Sequence, residues 1–96
     1  MAIVRTFEAR GWAVEDYDEL MLRLVTKLGL TRGQAAPGVL SHWAAVTDDG
    51  VRAVDVYESR EAADRLVSES IGPIAGELGL SLPEITELEV HNYLRT

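Results

Sequence analysis

Cysteine is absent from this 96-residue chain. That absence removes disulfides, thiolate nucleophiles and cysteine-based zinc or iron–sulfur sites, and it fits a reducing compartment. Basic residues are the minority: nine Lys and Arg stand against sixteen Asp and Glu, for a net charge of −7. A protein that tracks phosphates needs a basic face, so nucleic-acid binding is not expected, and the acidic surface serves solubility. Long apolar runs are missing too. The opening stretch "MAIVRTFEAR" interrupts its apolar run with Arg5 and has no signal-peptide segment. No run approaches the ~20 apolar residues needed to cross a bilayer. The expectation is a cytoplasmic protein with no membrane contact.

Apolar residues nevertheless make up 47% of the chain and charged residues 26%, the balance of an ordinary globular protein. The length suits a single domain spanning residues 1–96. Ala2–Glu8 mixes β-branched and aromatic residues before "RG" and reads as a strand. Between Glu15 and Leu28 the apolar positions Tyr17, Leu20, Met21, Leu24, Val25 and Leu28 recur at three and four, the stripe of an amphipathic helix. Acidic residues crowd its start and Arg23 and Lys27 come later, complementing the helix dipole; Gly29 can end it. Thr31–Gly38 is a loop by its Gly and Pro content. Val39–Thr47, "DDG" and Val51–Tyr57 form a β-hairpin. Ser59 caps a second helix, and Gly72-Pro73 interrupts it, predicting a kink or a restart with Pro73 in the first turn. Ile85–Leu94 is the last strand.

The order β-α-β-β-α-β predicts an α+β, ferredoxin-like architecture: a four-stranded antiparallel sheet with two helices on one face. Both faces of the hairpin strands are rich in apolar residues. A lone protomer would expose one of them, and a two-fold pairing of sheets would cover it. A homodimer through the sheet face is therefore expected.

On "VDVYESREAADRL", "EDYDEL" and "HWAAVTDDGVRAVDVYES", the chain resembles the dimeric α/β-barrel superfamily, in its antibiotic-biosynthesis-monooxygenase-like branch. In that superfamily two ferredoxin-like protomers join their sheets into a barrel. The resemblance covers nearly the whole chain. It implies a pocket within each protomer, between sheet and helices, for an aromatic or polyketide-like molecule. It also implies an activity of the cofactor-independent monooxygenase or cyclase type. Haem degradation of the related kind calls for a histidine on the second helix, and Ser59–Leu78 contains none. No cofactor is expected.

Which residues meet in such a pocket depends on the hairpin register. A two-residue Asp49-Gly50 turn pairs Asp48 with Val51 and His42 with Tyr57, and puts His42, Asp55 and Tyr57 on one face. A three-residue Asp48-Asp49-Gly50 loop pairs Thr47 with Val51 and leaves His42 among Val54 and Val56. The first groups the polar side chains and is the reading adopted. Under it His42 is the proton-transfer residue, Asp55 its orienter and Tyr57 a binding contact. The bland alternative is a hydrogen-bonded core histidine with a polar anchor, in a non-catalytic ligand-binding or dimerisation module. An enclosed pocket of about 300 Å³ or more, walled by His42 and Tyr57, would favour the chemical reading.

Tyr17 opens the apolar stripe, with a hydroxyl able to reach a cavity mouth. Trp12 either closes a lid over the pocket or packs against the neighbouring loop. Strand alternation groups His91 with Glu87, Glu89 and Tyr93, and the cleaner apolar side opposite suggests that His91 points away from the helices, toward a rim or a partner. Two histidines on separate strands do not make a metal site, so none is expected.

Overall fold

The computed structural model describes residues 1–31 and 33–92. β1 (Ile3–Arg10) alternates strictly, with Ile3, Arg5, Phe7 and Ala9 buried on one side. α1 (Val14–Leu28) begins where the Asp16 carboxylate accepts the Ala13 N–H at 2.8 Å, and it ends on Gly29 in the left-handed conformation, φ 66°. β2 (Val39–Thr47) and β3 (Gly50–Tyr57) form the hairpin; β4 (Glu84–Glu89) closes the chain of elements. The strands are all antiparallel, in the order β2-β3-β1-β4, so β2 and β4 are the edges. The helices pack on one face over a core that includes Leu20, Leu24, Tyr57, Ala63, Leu66 and Ile74. This is the ferredoxin-like sandwich that the element order predicts.

The second helix is built in three parts: α2 (Arg60–Leu66), a π-helical stretch (Val67–Ile71) and α3 (Gly72–Glu77), with Pro73 in the first turn of α3. The wider turn follows from the proline. Pro73 has no N–H for the carbonyl four residues back, that of Glu69, and Lys27 Nζ from α1 donates to it instead. Gly72 N–H reaches five residues back, to Val67 O. Ser59 Oγ accepts the Ala62 N–H at 3.1 Å, as its capping position predicts.

The hairpin takes neither expected register. Thr47 pairs with Gly50 around a two-residue Asp48-Asp49 turn, and His42 lies directly opposite Asp55. The physical reason is Gly50. As a residue of either expected turn Gly50 would take positive φ, yet it is not among the positive-φ glycines, and no described non-glycine residue has positive φ. Gly50 instead sits within the strand, paired with Arg10, where a Cβ would stand 2.1 Å from the Ala9 carbonyl oxygen. Close approach, not turn geometry, requires the glycine. The slip from the adopted register is an even number of positions, so His42, Asp55 and Tyr57 still share the helix-facing side. An irregularity between Val39 and Ser41 puts Val39 on that side as well.

β4 is shorter than expected, and its faces are reversed from the sequence reading. Arg5 pairs with Glu87 and its guanidinium bonds the Glu87 carboxylate under the helices, so the acidic side of β4 faces inward. Leu88, on the opposite side, is 65% exposed. The charge on Arg5 decided the matter. A cation buried at 8% exposure needs carboxylates, and Glu87 at 2.8 Å and Asp64 of α2 at 2.5 Å supply them. Arg60 also bonds Glu87, and these two guanidiniums hold its carboxyl below the usual carboxylate range. His91 lies beyond the end of β4, exposed in a bend, and Tyr93 and Leu94 fall outside the described residues. The far face of the sheet carries Val4, Val54 and Val56, half-buried, with Trp43 at 50% exposure.

Candidate functional site

One hydrogen-bonded chain of side chains crosses from solvent to core. Tyr17 of α1 contacts His42 Nε2 through its hydroxyl at 2.5 Å; His42 Nδ1 bonds Asp55 Oδ1; Tyr57 donates its hydroxyl to Asp55 Oδ2 at 2.7 Å. The roles follow from what each group can offer. An ionised carboxylate only accepts, so His42 carries its proton on Nδ1, and its Nε2 then accepts from the Tyr17 O–H. The Tyr17 and His42 rings lie parallel, 8° apart, with centroids 6.1 Å apart.

Three elements position this chain. The β2–β3 register sets His42 opposite Asp55, and the pleat puts Tyr57 two residues further on the same side. The α1 stripe brings Tyr17 down over β2. From His42 inward exposure falls: the His42 side chain is 30% exposed, Asp55 is 6% exposed and Tyr57 is fully buried, while Tyr17 is half-buried. Burial, with the Asp55 charge added, pushes the Tyr17 hydroxyl up to about 12, and the same two causes raise Tyr57 further. Both phenols therefore stay protonated as donors throughout the neutral range.

The Tyr17–His42–Asp55 part of the chain lines a cavity between sheet and helices with a volume of about 60 Å³, walled mainly by Phe7, Trp12, Leu20, Val51 and Ile71. The volume is well below that set for an enclosed small-molecule pocket. The cavity continues onto an apolar ledge. Ala44 and Val46 pair with its lining residues Ala53 and Val51 and share their side of the sheet, yet both are exposed, Val46 at 69%. A second cavity, of about 100 Å³, lies on the other side of the same pair, under the 34–36 loop, and the two share Met21, His42, Asp55 and Ile71.

The structure brings His42, Asp55, Tyr17 and Trp12 together around the first cavity. Trp12 is a fixed wall, because its indole Nε1 donates to the Ser81 carbonyl at 3.0 Å and ties the start of α1 to the loop before β4. Tyr57 is not on the cavity wall, contrary to its expected binding role. Its ring fills the core at 0% exposure, and its hydroxyl is committed to Asp55. His91 takes no part, lying past the edge strand. Sequence reasoning missed Met21 and Ile71 as shared walls. Both were legible as stripe residues, Met21 of the first helix and Ile71 of the second, but the stripe does not say which of its members border a cavity. Among the described residues no group of His, Asp and Glu side chains could hold a metal, and no helix is long and apolar enough to cross a membrane.

No protein-family model matches the chain, and no curated protein does. Solved structures do match over nearly its full length. SnoaB, a cofactor-independent oxygenase from Streptomyces nogalater, aligns at TM-score 0.61 with 18% identity, covering 99% of this chain and 96% of that one. A provisionally assigned antibiotic biosynthesis monooxygenase from Chloroflexus aurantiacus J-10-fl aligns at 0.65 with 20% identity, covering 99% and 98%. A protein of unknown function from Nitrosomonas europaea aligns at 0.63 with 18% identity, covering 99% and 92%. The chain has the ferredoxin-like fold of these proteins, the fold that its element order predicts.

Proposed function

We propose that this protein binds a planar aromatic or polyketide-like molecule against the Ala44–Val46 ledge, with one ring edge in the Tyr17 cavity, and removes a proton from it. The observation that carries this reading is the Tyr17–His42–Asp55 relay, which opens on an apolar cavity and is anchored from behind by a buried tyrosine. A phenolic or enolic proton of the ligand passes to the Tyr17 oxygen as the Tyr17 proton passes to His42 Nε2. Tyr17 is neutral before and after. The products are the ligand anion and an imidazolium facing the Asp55 carboxylate. Such an anion is the starting point for oxygenation without a cofactor, or for attack on a second carbonyl of the same molecule in a cyclisation. The fold likeness to SnoaB, named as a cofactor-independent oxygenase, supports the first. Two copies pair through the face carrying Trp43, Val54 and Val56, which leaves both ledges free.

A second reading rests on the small cavity. At about 60 Å³ it takes only part of a ring, and a module whose polar chain merely stiffens the core would look the same in outline. Ligand-induced melting shifts with phenols, quinones and polycyclic aromatics separate the two. The proposal expects a stabilising hit that weakens in Val46→Glu and His42→Ala. No hit in the wild type, or a hit indifferent to both substitutions, favours the non-catalytic module.

A further inference from the structure

The second cavity has a different character from the first. Its wall is formed by Leu24, Val25, Leu30, Val39 and Leu66, together with Ala36 of the loop, and its floor by the His42–Asp55 pair. A cavity holds water only when unsatisfied polar groups line it. Here both His42 nitrogens and both Asp55 oxygens are already engaged with one another or with the two tyrosines. Gln34, at the mouth, turns its Oε1 back to the Thr31 N–H and hydroxyl, at 3.0 and 3.1 Å. No buried side-chain nitrogen or oxygen among the described residues lacks a partner. The buried side-chain polar atoms of this wall are thus all paired within the protein.

A polar floor that is fully satisfied, under apolar walls, leaves a space of about 100 Å³ better suited to a small apolar guest than to water. Engineered apolar cavities of ~150 Å³ stay dry and take up benzene or xenon. A smaller one selects a molecule of a few atoms. The two cavities meet only at Met21, Ile71, His42 and Asp55, so a guest here reaches the relay from the side opposite the proposed ligand ledge.

We infer that the cavity beneath the 34–36 loop is a binding site for a small, uncharged, apolar molecule of the class to which dioxygen belongs. The loop edge, where Gln34 and Ala35 are exposed, is its entrance. The guest's identity as dioxygen rests on the oxygenase reading of the site; the existence of the guest site does not. With the aromatic anion on the ledge and the gas behind the relay, both reactants reach one catalytic pair without competing for one pocket.

Xenon tests the site on the full chain without any ligand. Crystals pressurised with xenon should show a peak among Leu24, Val25 and Leu30, and the peak should vanish in Ala36→Phe, or in Val25→Phe if the first variant does not fold. No peak there, or a peak confined to the Tyr17 cavity, overturns the inference. With a turned-over aromatic ligand in hand, the filled variants should raise KM for dioxygen several-fold at unchanged ligand Kd. An unchanged KM for dioxygen in a variant that has lost its xenon peak overturns the assignment to dioxygen. A xenon peak with no aromatic ligand found in the melting screen removes the proposed function while the guest site stands.

Discussion

Replacing Tyr57 by Phe removes one oxygen atom and leaves the ring that fills the core. The Asp55 Oδ2 then keeps its charge, inside a residue 6% exposed, without the hydroxyl that donates to it at 2.7 Å. A hydrogen bond to a charged group is worth about 1.5–3 kcal/mol, and leaving a buried acceptor unmade incurs that loss in full. We expect a destabilisation of about 2 kcal/mol at pH 7, or a fall in Tm of ~8–16 °C for a domain of this size. Tyr17→Phe is the internal control. It frees His42 Nε2, on a side chain that is 30% exposed, and water can replace the lost partner, so the expected cost is below about 1 kcal/mol. Urea unfolding of both variants, with the wild-type slope preserved, measures the difference. Equal costs, or a Tyr57→Phe cost under about 0.5 kcal/mol, would refute the assignment of Asp55 as an ionised carboxylate held from behind by Tyr57. The same arrangement has an alkaline signature. Both phenols are raised by folding, so their contribution is fully present below pH 10, and it is lost as pH rises from 10 toward and past about 12 for Tyr17. Each Phe variant should flatten that decline.

Gly50→Ala should cost about 2–3 kcal/mol, because the new methyl would sit 2.1 Å from the Ala9 carbonyl and the β1–β3 ladder must shift. Gly11→Ala, at φ 81° with open space around its Cβ, should cost only the ~1–2 kcal/mol of left-handed strain; denaturant melts that reverse this order would return Gly50 to the turn. Glu87 has its carboxyl lowered by Arg60 and Arg5, so its contribution is present above the ordinary carboxylate pKa and is lost as pH falls through the lowered value. Stability measured from pH 6 down to 2 should therefore fall less steeply in Glu87→Gln than in the wild type, and parallel profiles would deny the Arg5–Glu87–Arg60 cluster its role.

The sequence by itself determined the element order, and with it the sandwich. The three-and-four spacing from Tyr17 to Leu28 allows one helix with one buried face, and the apolar runs around "DDG" allow one hairpin. Strand alternation also put Asp55 and Tyr57 on one face, but whether His42 joins them hung on the register. The three-residue loop differs from the two-residue turn by an odd slip that sends His42 to the other side, and only the structure pairs it with Asp55. What the pattern did not hold was which residues touch. Gly50 looks the same in sequence whether a turn or a neighbouring carbonyl requires it, and only the packing of β1 shows that the Ala9 oxygen excludes a Cβ. Apolar counting points the wrong side of β4 inward because it ignores Arg5, whose buried charge draws Glu87 and the acidic side under the helices. Tyr57 could be a pocket wall or a core ring by composition. The tertiary structure decided, since its hydroxyl finds Asp55 only when the ring is fully enclosed. Local chemistry sets periodicity and caps. Contacts between residues far apart in the chain, where desolvation and van der Waals exclusion act, exist only once the layers have closed.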